Sequence, residues 1–341
     1  MIFVTGGTGF LGKNLIPLLA SRGHALRVLV RHPEDHPWLR DHNVEVVRGD
    51  VLDLASVEQG VAGCRYVVHA AGHFRMWGRP ADFERTNVQG TRNVAEAALR
   101  EGVERYLHIS TIAVIGNPTP GMIIDETHPP NPADPYQRSK LAGERVVQRL
   151  ASLHSLPAII LRPGAFYGPH GRYAFNRLFF EDPLRGLLIR VDGGRRVIFP
   201  VYIGDVAQAI YNALACGCLG EVYNICGDPL THNQANDIIS DEAGITRLRI
   251  DAPRWGMITL ARLWTWTAQF TGVEPFYPLN LRTYIFNDWY TSSQKARDEL
   301  CFRPTPFRQG ARQTLAWYRE MGFPWARRER RRFLPLPFDL V

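Results

Sequence analysis

Eight residues near the start of the chain, Thr5-Gly6-Gly7-Thr8-Gly9-Phe10-Leu11-Gly12, constrain it more than any other feature. They follow an apolar run, Ile2–Thr5, and open an amphipathic stretch, Leu11–Arg22, so the glycines stand between a strand and a helix. A helix N-terminus exposes N–H groups and the positive end of the helix dipole, which together attract a pyrophosphate. Gly6 and Gly9 let the backbone turn and approach phosphates without a Cβ clash, and Gly12 lets the helix pack close to the sheet. Thr8, Phe10 and Leu11 complete the turn and count with it as dinucleotide-contacting residues. The alternative is a glycine turn without a ligand, and the strand-turn-helix context argues against it.

The same rhythm continues to about residue 165. Ala25–Val30, Val44–Arg48, Tyr66–Ala70, Arg105–Ser110 and Ala158–Arg162 read as strands. Several are apolar throughout, as strands buried on both faces are. Val88–Arg100 and Tyr136–Ala151 read as helices, with Gly23 and Gly102 as stop signals. Strand-helix alternation predicts an α/β, Rossmann-type, doubly wound parallel sheet. After residue 165, Pro, Gly and aromatic residues become frequent. Residues 166–323 are expected to form a smaller substrate lobe, interleaved with the sheet domain through a helix at Val206–Ala215 and a strand at Val222–Ile225. Residues 324–341 read as a basic, apolar tail.

The end of the second strand discriminates between dinucleotides. An NAD site places Asp or Glu there for the ribose 2′-hydroxyl. This chain has Arg31, whose guanidinium suits a 2′-phosphate, so NADP is expected in preference to NAD. The alternative is a solvated arginine. After the third strand, Asp50 and Val51 are candidates for the adenine side. Asp50 has an alternative role as a turn cap. Ala70-Ala71-Gly72 follows the fourth strand, and its small residues leave room for the adenosine ribose.

Tyr136 and Lys140 stand four residues apart on a helix, so both face one way. Ser110 and Thr111 close the preceding strand, at the end that faces the ligand crevice of an open α/β sheet. Taken in order, TGGTGFLG (5–12), GDVLD (49–53), HAAG (69–72), NVQGT (87–91), ISTIAVIG (109–116), YQRSK (136–140), LRPGAFYGP (161–169) and PVYIGDVA (200–207) resemble the extended short-chain dehydrogenase/reductase family. The resemblance implies that Thr111, Tyr136 and Lys140 are catalytic. It also places Asn87, Ser110 and Pro163 near the cofactor and suggests a homodimer. In that chemistry a hydride passes between nicotinamide and a carbonyl carbon, while Tyr136 handles the proton on oxygen. A cation about 5 Å away at an effective dielectric of ~20 is worth roughly 3 kcal/mol, about two pKa units. Lys140 is therefore expected to lower the Tyr136 pKa, and Thr111 to orient the substrate oxygen.

Departures from the family patterns narrow the reaction. Ile112-Ala113 replaces the acidic pair that follows the catalytic Thr in sugar dehydratases, and Ala165 replaces an Asn typical of sugar epimerases. The closer resemblance is to the dihydroflavonol-reductase and 3β-hydroxysteroid-dehydrogenase branch. It implies a bulky, largely apolar ketone or secondary alcohol as substrate. Phe74, Trp77, Phe166 and Tyr167 follow strand ends and are pocket candidates, with Arg75 beside them facing either a polar substrate group or solvent. The alternatives are an NAD-retaining nucleotide-sugar epimerase and a non-catalytic dinucleotide-binding scaffold or redox sensor.

Charge and cysteine usage set outer limits. Formal net charge is +7, and residues 324–341 contribute +3 of it through five arginines against Glu329 and Asp339. The remaining basic residues form no spread face, so nucleic acid is not expected as a partner. Five cysteines without a CxxC pair read as buried, reduced thiols, and no metal site is expected. Met1–Val4 is already a strand rather than a signal peptide, so a cytoplasmic protein is expected. The tail and the apolar stretch Gly256–Thr271 each admit a peripheral membrane contact. The alternatives are a tail packed on the body and a core or dimer-interface helix.

Overall fold

A computed structural model describes residues 1–187 and 189–325. Seven parallel strands form its central sheet: β1 (Ile2–Thr5), β2 (Leu26–Val30), β3 (Glu45–Arg48), β4 (Tyr66–His69), β5 (Arg105–Ile109), β6 (Ala158–Pro163) and β7 (Val222–Ile225). Their spatial order is β7-β6-β5-β4-β1-β2-β3. The chain winds outward from β1 to β3, then returns to the other side of β1 with β4. That reversal opens a crevice beyond the C-terminal ends of β1 and β4, where this class of sheet binds ligands.

Alternate residues of β1 serve two cores. Ile2 and Val4 pack with Leu15, Ile16 and Ile210 on one face, and Phe3 packs with Val57, Val94 and Val147 on the other. Burial on both faces explains why the strands are apolar throughout. The first face is covered by α1 (Gly12–Ser21), and the second by α2 (Leu54–Val61), α3 (Thr91–Glu101) and α4 (Pro135–His154). The sequence reading missed α2, which is only 8 residues long and is capped by the Asp53 carboxylate accepting from Ala55 N at 3.2 Å. The expected Val88 start of α3 falls inside a wider turn, Arg85–Gly90.

Both expected returns to the sheet domain occur. The helix α5 (Ile203–Cys216) packs beside α1, and β7 pairs with β6. A third return was not foreseen: Ala296, Leu300 and Phe302 join the core beneath α1 and α5. The remaining lobe contains α6 (His232–Ala243), α7 (Arg254–Thr271), α8 (Phe307–Glu320) and short strand pairs, including Ile189–Val191 with Ile250–Ala252. Cys64 and Cys226 are buried, but Cys216, Cys218 and Cys301 are exposed, contrary to the expectation of buried thiols. No helix among the described residues is long and apolar enough to cross a membrane. The arginine cluster and Phe333–Phe338 of the expected tail lie outside the described residues.

One buried ion pair ties α4 to the sheet. Arg162 of β6 donates to Glu144 through Nε at 2.9 Å and Nη2 at 2.6 Å, with both side chains buried. Removing one partner of such a pair leaves an uncompensated buried charge, at a cost of about 3–5 kcal/mol. Glu144→Ala should lose stability in that range by urea unfolding. A loss below about 1 kcal/mol would show that the pair does not anchor the helix.

Candidate active site

The glycine turn is held by two close approaches. Gly6 has φ +71°, and a Cβ there would lie 2.6 Å from the Ala70 carbonyl and Ala71 amide. A Cβ on Gly12 would lie 2.0 Å from the Gly7 carbonyl oxygen, so the helix start presses on the turn itself. The close contact with the sheet belongs to Gly7, whose Cβ would meet Val28 at 2.6 Å. This corrects the role expected of Gly12. No side chain caps α1, and its first turn carries no acid. The positive helix end therefore faces the crevice without a protein counter-charge.

The helix that carries Tyr136 is capped two residues before it. Asp134 and Gln137 form a reciprocal cap, in which Gln137 N donates to Asp134 Oδ1 at 2.8 Å and Asp134 N to Gln137 Oε1 at 3.3 Å. Pro135 occupies the first turn. One turn on, Lys140 is buried and its ammonium donates to the Ile109 carbonyl at 2.7 Å. Thr111 is fixed by accepting from Ala113 N at 3.2 Å, and its hydroxyl lies beside the Tyr136 phenol. Phe74 packs against the Tyr136 ring with centroids 4.7 Å apart.

A cavity of about 590 Å³ runs from the glycine turn past these side chains into the second lobe. Gly6, Gly9, Phe10, Leu11, Ala70 and Gly72 line its first part, with Arg31 at the rim. Ser110, Thr111, Tyr136 and Lys140 line its middle, and Phe74, Arg75 and Phe166 its continuation. Arg31 is exposed and has no ion-pair partner among the described residues. The close-packed glycine turn and the unopposed helix end together fit a dinucleotide, with the Arg31 guanidinium at the rim.

Residues 2–226 match the NAD dependent epimerase/dehydratase family. The protein belongs to that family. It is 32% identical over 317 residues to a 2-alkyl-3-oxoalkanoate reductase of Stenotrophomonas maltophilia, covering 87% of this chain and 93% of the relative. It is 32% identical over 224 residues to a 4-hydroxy-2-methyl-3-oxo-4-farnesyl-3,4-dihydroquinoline-1-oxide ketoreductase of Stigmatella aurantiaca, covering 65% of this chain and 66% of that protein. The crystal structure of gox2253 superposes with a TM-score of 0.81 at 30% identity, covering 94% of this chain and 98% of that one. The protein is thus an NAD(P)-dependent enzyme of the extended short-chain dehydrogenase/reductase type.

Within this family member, several expected site residues serve elsewhere. Tyr167 is buried among Phe175, Phe180 and Phe307 in the second-lobe core and does not line the cavity. Trp77 is also off the cavity wall, and Met76 lines it instead. Asn87 is buried and fully engaged: its Oδ1 accepts from His73 N at 2.7 Å, while Nδ2 donates to His73 O and Ser139 Oγ. It holds the 72–74 loop against α4 from behind. Asp50 Oδ1 accepts from Leu52 N at 3.0 Å in a local turn, and Val51 packs beneath Gly90. Neither lines the cavity, and nor do Thr8, Gly12, Ala71 and Pro163. Conversely, His232 and Tyr277 line the cavity, and His232 Nε2, the Tyr277 hydroxyl and the Ser110 hydroxyl are buried without a hydrogen-bond partner. No motif pointed to His232 or Tyr277, because they reach the cavity only through the fold of the second lobe.

The electrostatics also differ from expectation. Burial raises the Tyr136 pKa above the ordinary phenol value, with the Thr111 hydroxyl pulling the other way. Lys140 is not among the groups that shift it, and its ammonium donates to the Ile109 carbonyl instead. Burial pushes the Lys140 pKa down to about 8, with Glu144 opposing. An unfolded lysine holds its proton to about 10.5, so the unfolded chain binds more protons between about pH 8 and 10.5. Folding stability of the cofactor-free enzyme should therefore rise through that window. Urea unfolding on either side of it should show a rise in wild type that is reduced in Lys140→Met. Equal rises in both would refute the assignment.

Proposed function

We propose that this enzyme is an NADP-dependent reductase of a bulky, largely apolar ketone. The observation that carries the reading is one continuous space: Tyr136 and Thr111 stand between the glycine turn and an aromatic-walled cavity large enough for a drug-sized ligand. Two relatives are named for ketone reduction on molecules bearing alkyl or farnesyl chains. When bound, the nicotinamide supplies the hydride.

The chain's own residues handle the rest. Thr111 fixes the substrate oxygen beside the phenol, and Tyr136 gives that oxygen its proton. A phenol held above its ordinary pKa is protonated at neutral pH, the form that a proton donor needs. Lys140 anchors the cofactor ribose from the floor of the crevice. Arg31 pairs with the 2′-phosphate at the rim. Phe74 and Phe166 flank the reacting end, and Tyr277 and His232 stand in the wall of the cavity. Burial pushes the His232 pKa down to about 4, so its imidazole is neutral at pH 7.

Screening hydrophobic ketones for NADPH consumption tests the reaction, with alcohol formed in equal amount. Purified protein that retains dinucleotide and interconverts sugar nucleotides without net consumption would establish an epimerase instead. With a substrate in hand, Tyr136→Phe should lower kcat by about 10²–10⁴-fold while leaving dinucleotide affinity unchanged. Equal turnover would exclude Tyr136 as the proton donor. Arg31→Ala should weaken NADPH binding about tenfold or more, the scale of a charge-assisted hydrogen bond, and leave NADH binding unaltered. Tighter binding of NADH than NADPH by wild type would overturn the cofactor assignment.

A further inference from the structure

The helix α7 has two unlike faces. Met257, Ile258 and Trp264 pack inward around the buried Ala261, and Met257 reaches the cavity. On the outer face, Trp255, Trp266 and Phe270 are 75%, 58% and 74% exposed, with Leu263 among them. Positions 255, 259, 262, 263, 266 and 270 fall on one helical stripe. Arg262 lies in that stripe, and the helix contains no acidic residue. Just before the helix in the chain, Leu248 and Ile250 are also exposed, and the Ile250–Ala252 strand pairs with Ile189–Val191. Leu187, Ile189 and Phe276 are both exposed and part of the cavity wall. Exposed apolar side chains thus stand both on α7, which carries no acid, and at the rim of the cavity.

We infer that this face of α7 docks on an anionic lipid bilayer. Tryptophan and phenylalanine suit the interfacial zone, and arginine pairs with lipid phosphates. A second copy of the chain fits this stripe less well. A two-fold contact centred on this stripe would bring Arg262 near its own copy, with no carboxylate on the helix to pair with it. The nearby Asp251 is already engaged by Arg190 at 2.5 Å. Docking in this orientation places the cavity rim against the membrane, so an apolar ligand can pass between bilayer and cavity without crossing water.

Co-sedimentation of the full chain with vesicles of phosphatidylcholine, with and without phosphatidylglycerol, tests the surface. Binding needs neither substrate nor turnover, so the result is independent of the proposed reduction. Wild type should pellet with the mixed vesicles and be released as salt is raised. The triple variant Trp255→Ser, Trp266→Ser, Phe270→Ser should lose about tenfold or more in partitioning with dinucleotide affinity intact. Arg262→Glu should lose the preference for phosphatidylglycerol, and it decides the matter if the triple variant misfolds. Wild type remaining in the supernatant would overturn the inference. So would undiminished pelleting of both variants, or a lipid-free dimer that the triple variant converts to monomer.

Discussion

Three buried charges on one side of α4 hold the site together. Glu144 takes the Arg162 guanidinium from β6, while Lys140, one turn earlier, reaches the carbonyl that ends β5. One carboxylate thus faces two cations away from water. Arg162 holds it with short paired bonds, so burial prevails at Lys140 and its pKa falls. The same contacts fix the rotation of the helix, and that rotation brings Tyr136 under Phe74 and beside Thr111.

The crevice itself is made by backbone approach. Gly6 lies against Ala70-Ala71 across the reversal of strand order, so β1 and β4 close tightly below the site. A polar chain reinforces that closure: Thr5 Oγ1 meets His69 Nδ1 at 2.8 Å, His69 Nε2 meets Thr91 Oγ1 at 3.0 Å, and Thr91 donates to the Asn87 carbonyl at 2.7 Å. Burial pushes the His69 pKa down to about 3, so the chain runs through a neutral ring. Asn87 then passes the restraint on to the 72–74 loop, whose Phe74 begins the substrate side. The first lobe is thereby cross-tied where the dinucleotide would lie, and the second lobe supplies the remainder of the cavity.

Much of this was legible in short stretches of chain. The strand-glycine-helix order, the six N-terminal strands and the four-residue spacing of Tyr136 and Lys140 follow from neighbours within one or two turns. Expectation failed where a side chain's surroundings come from distant segments. Tyr167 and Phe166 are adjacent on a short strand, yet they point to opposite sides, one to the second-lobe core and one to the cavity. Trp77 and Met76 exchange roles for the same reason. Asn87 belongs to a motif that the family resemblance places near the cofactor, but its amide is consumed by the loop in front of it.

By itself, then, the sequence determined the parallel sheet, the phosphate-type turn and the presence of a Tyr-Lys pair, because periodicity and glycine placement are local steric facts. The tertiary structure alone decided which aromatics face the ligand, where Lys140 spends its charge and which side of α7 is left bare. Burial and electrostatics depend on what packs from far along the chain, and no window of neighbouring residues contains that information.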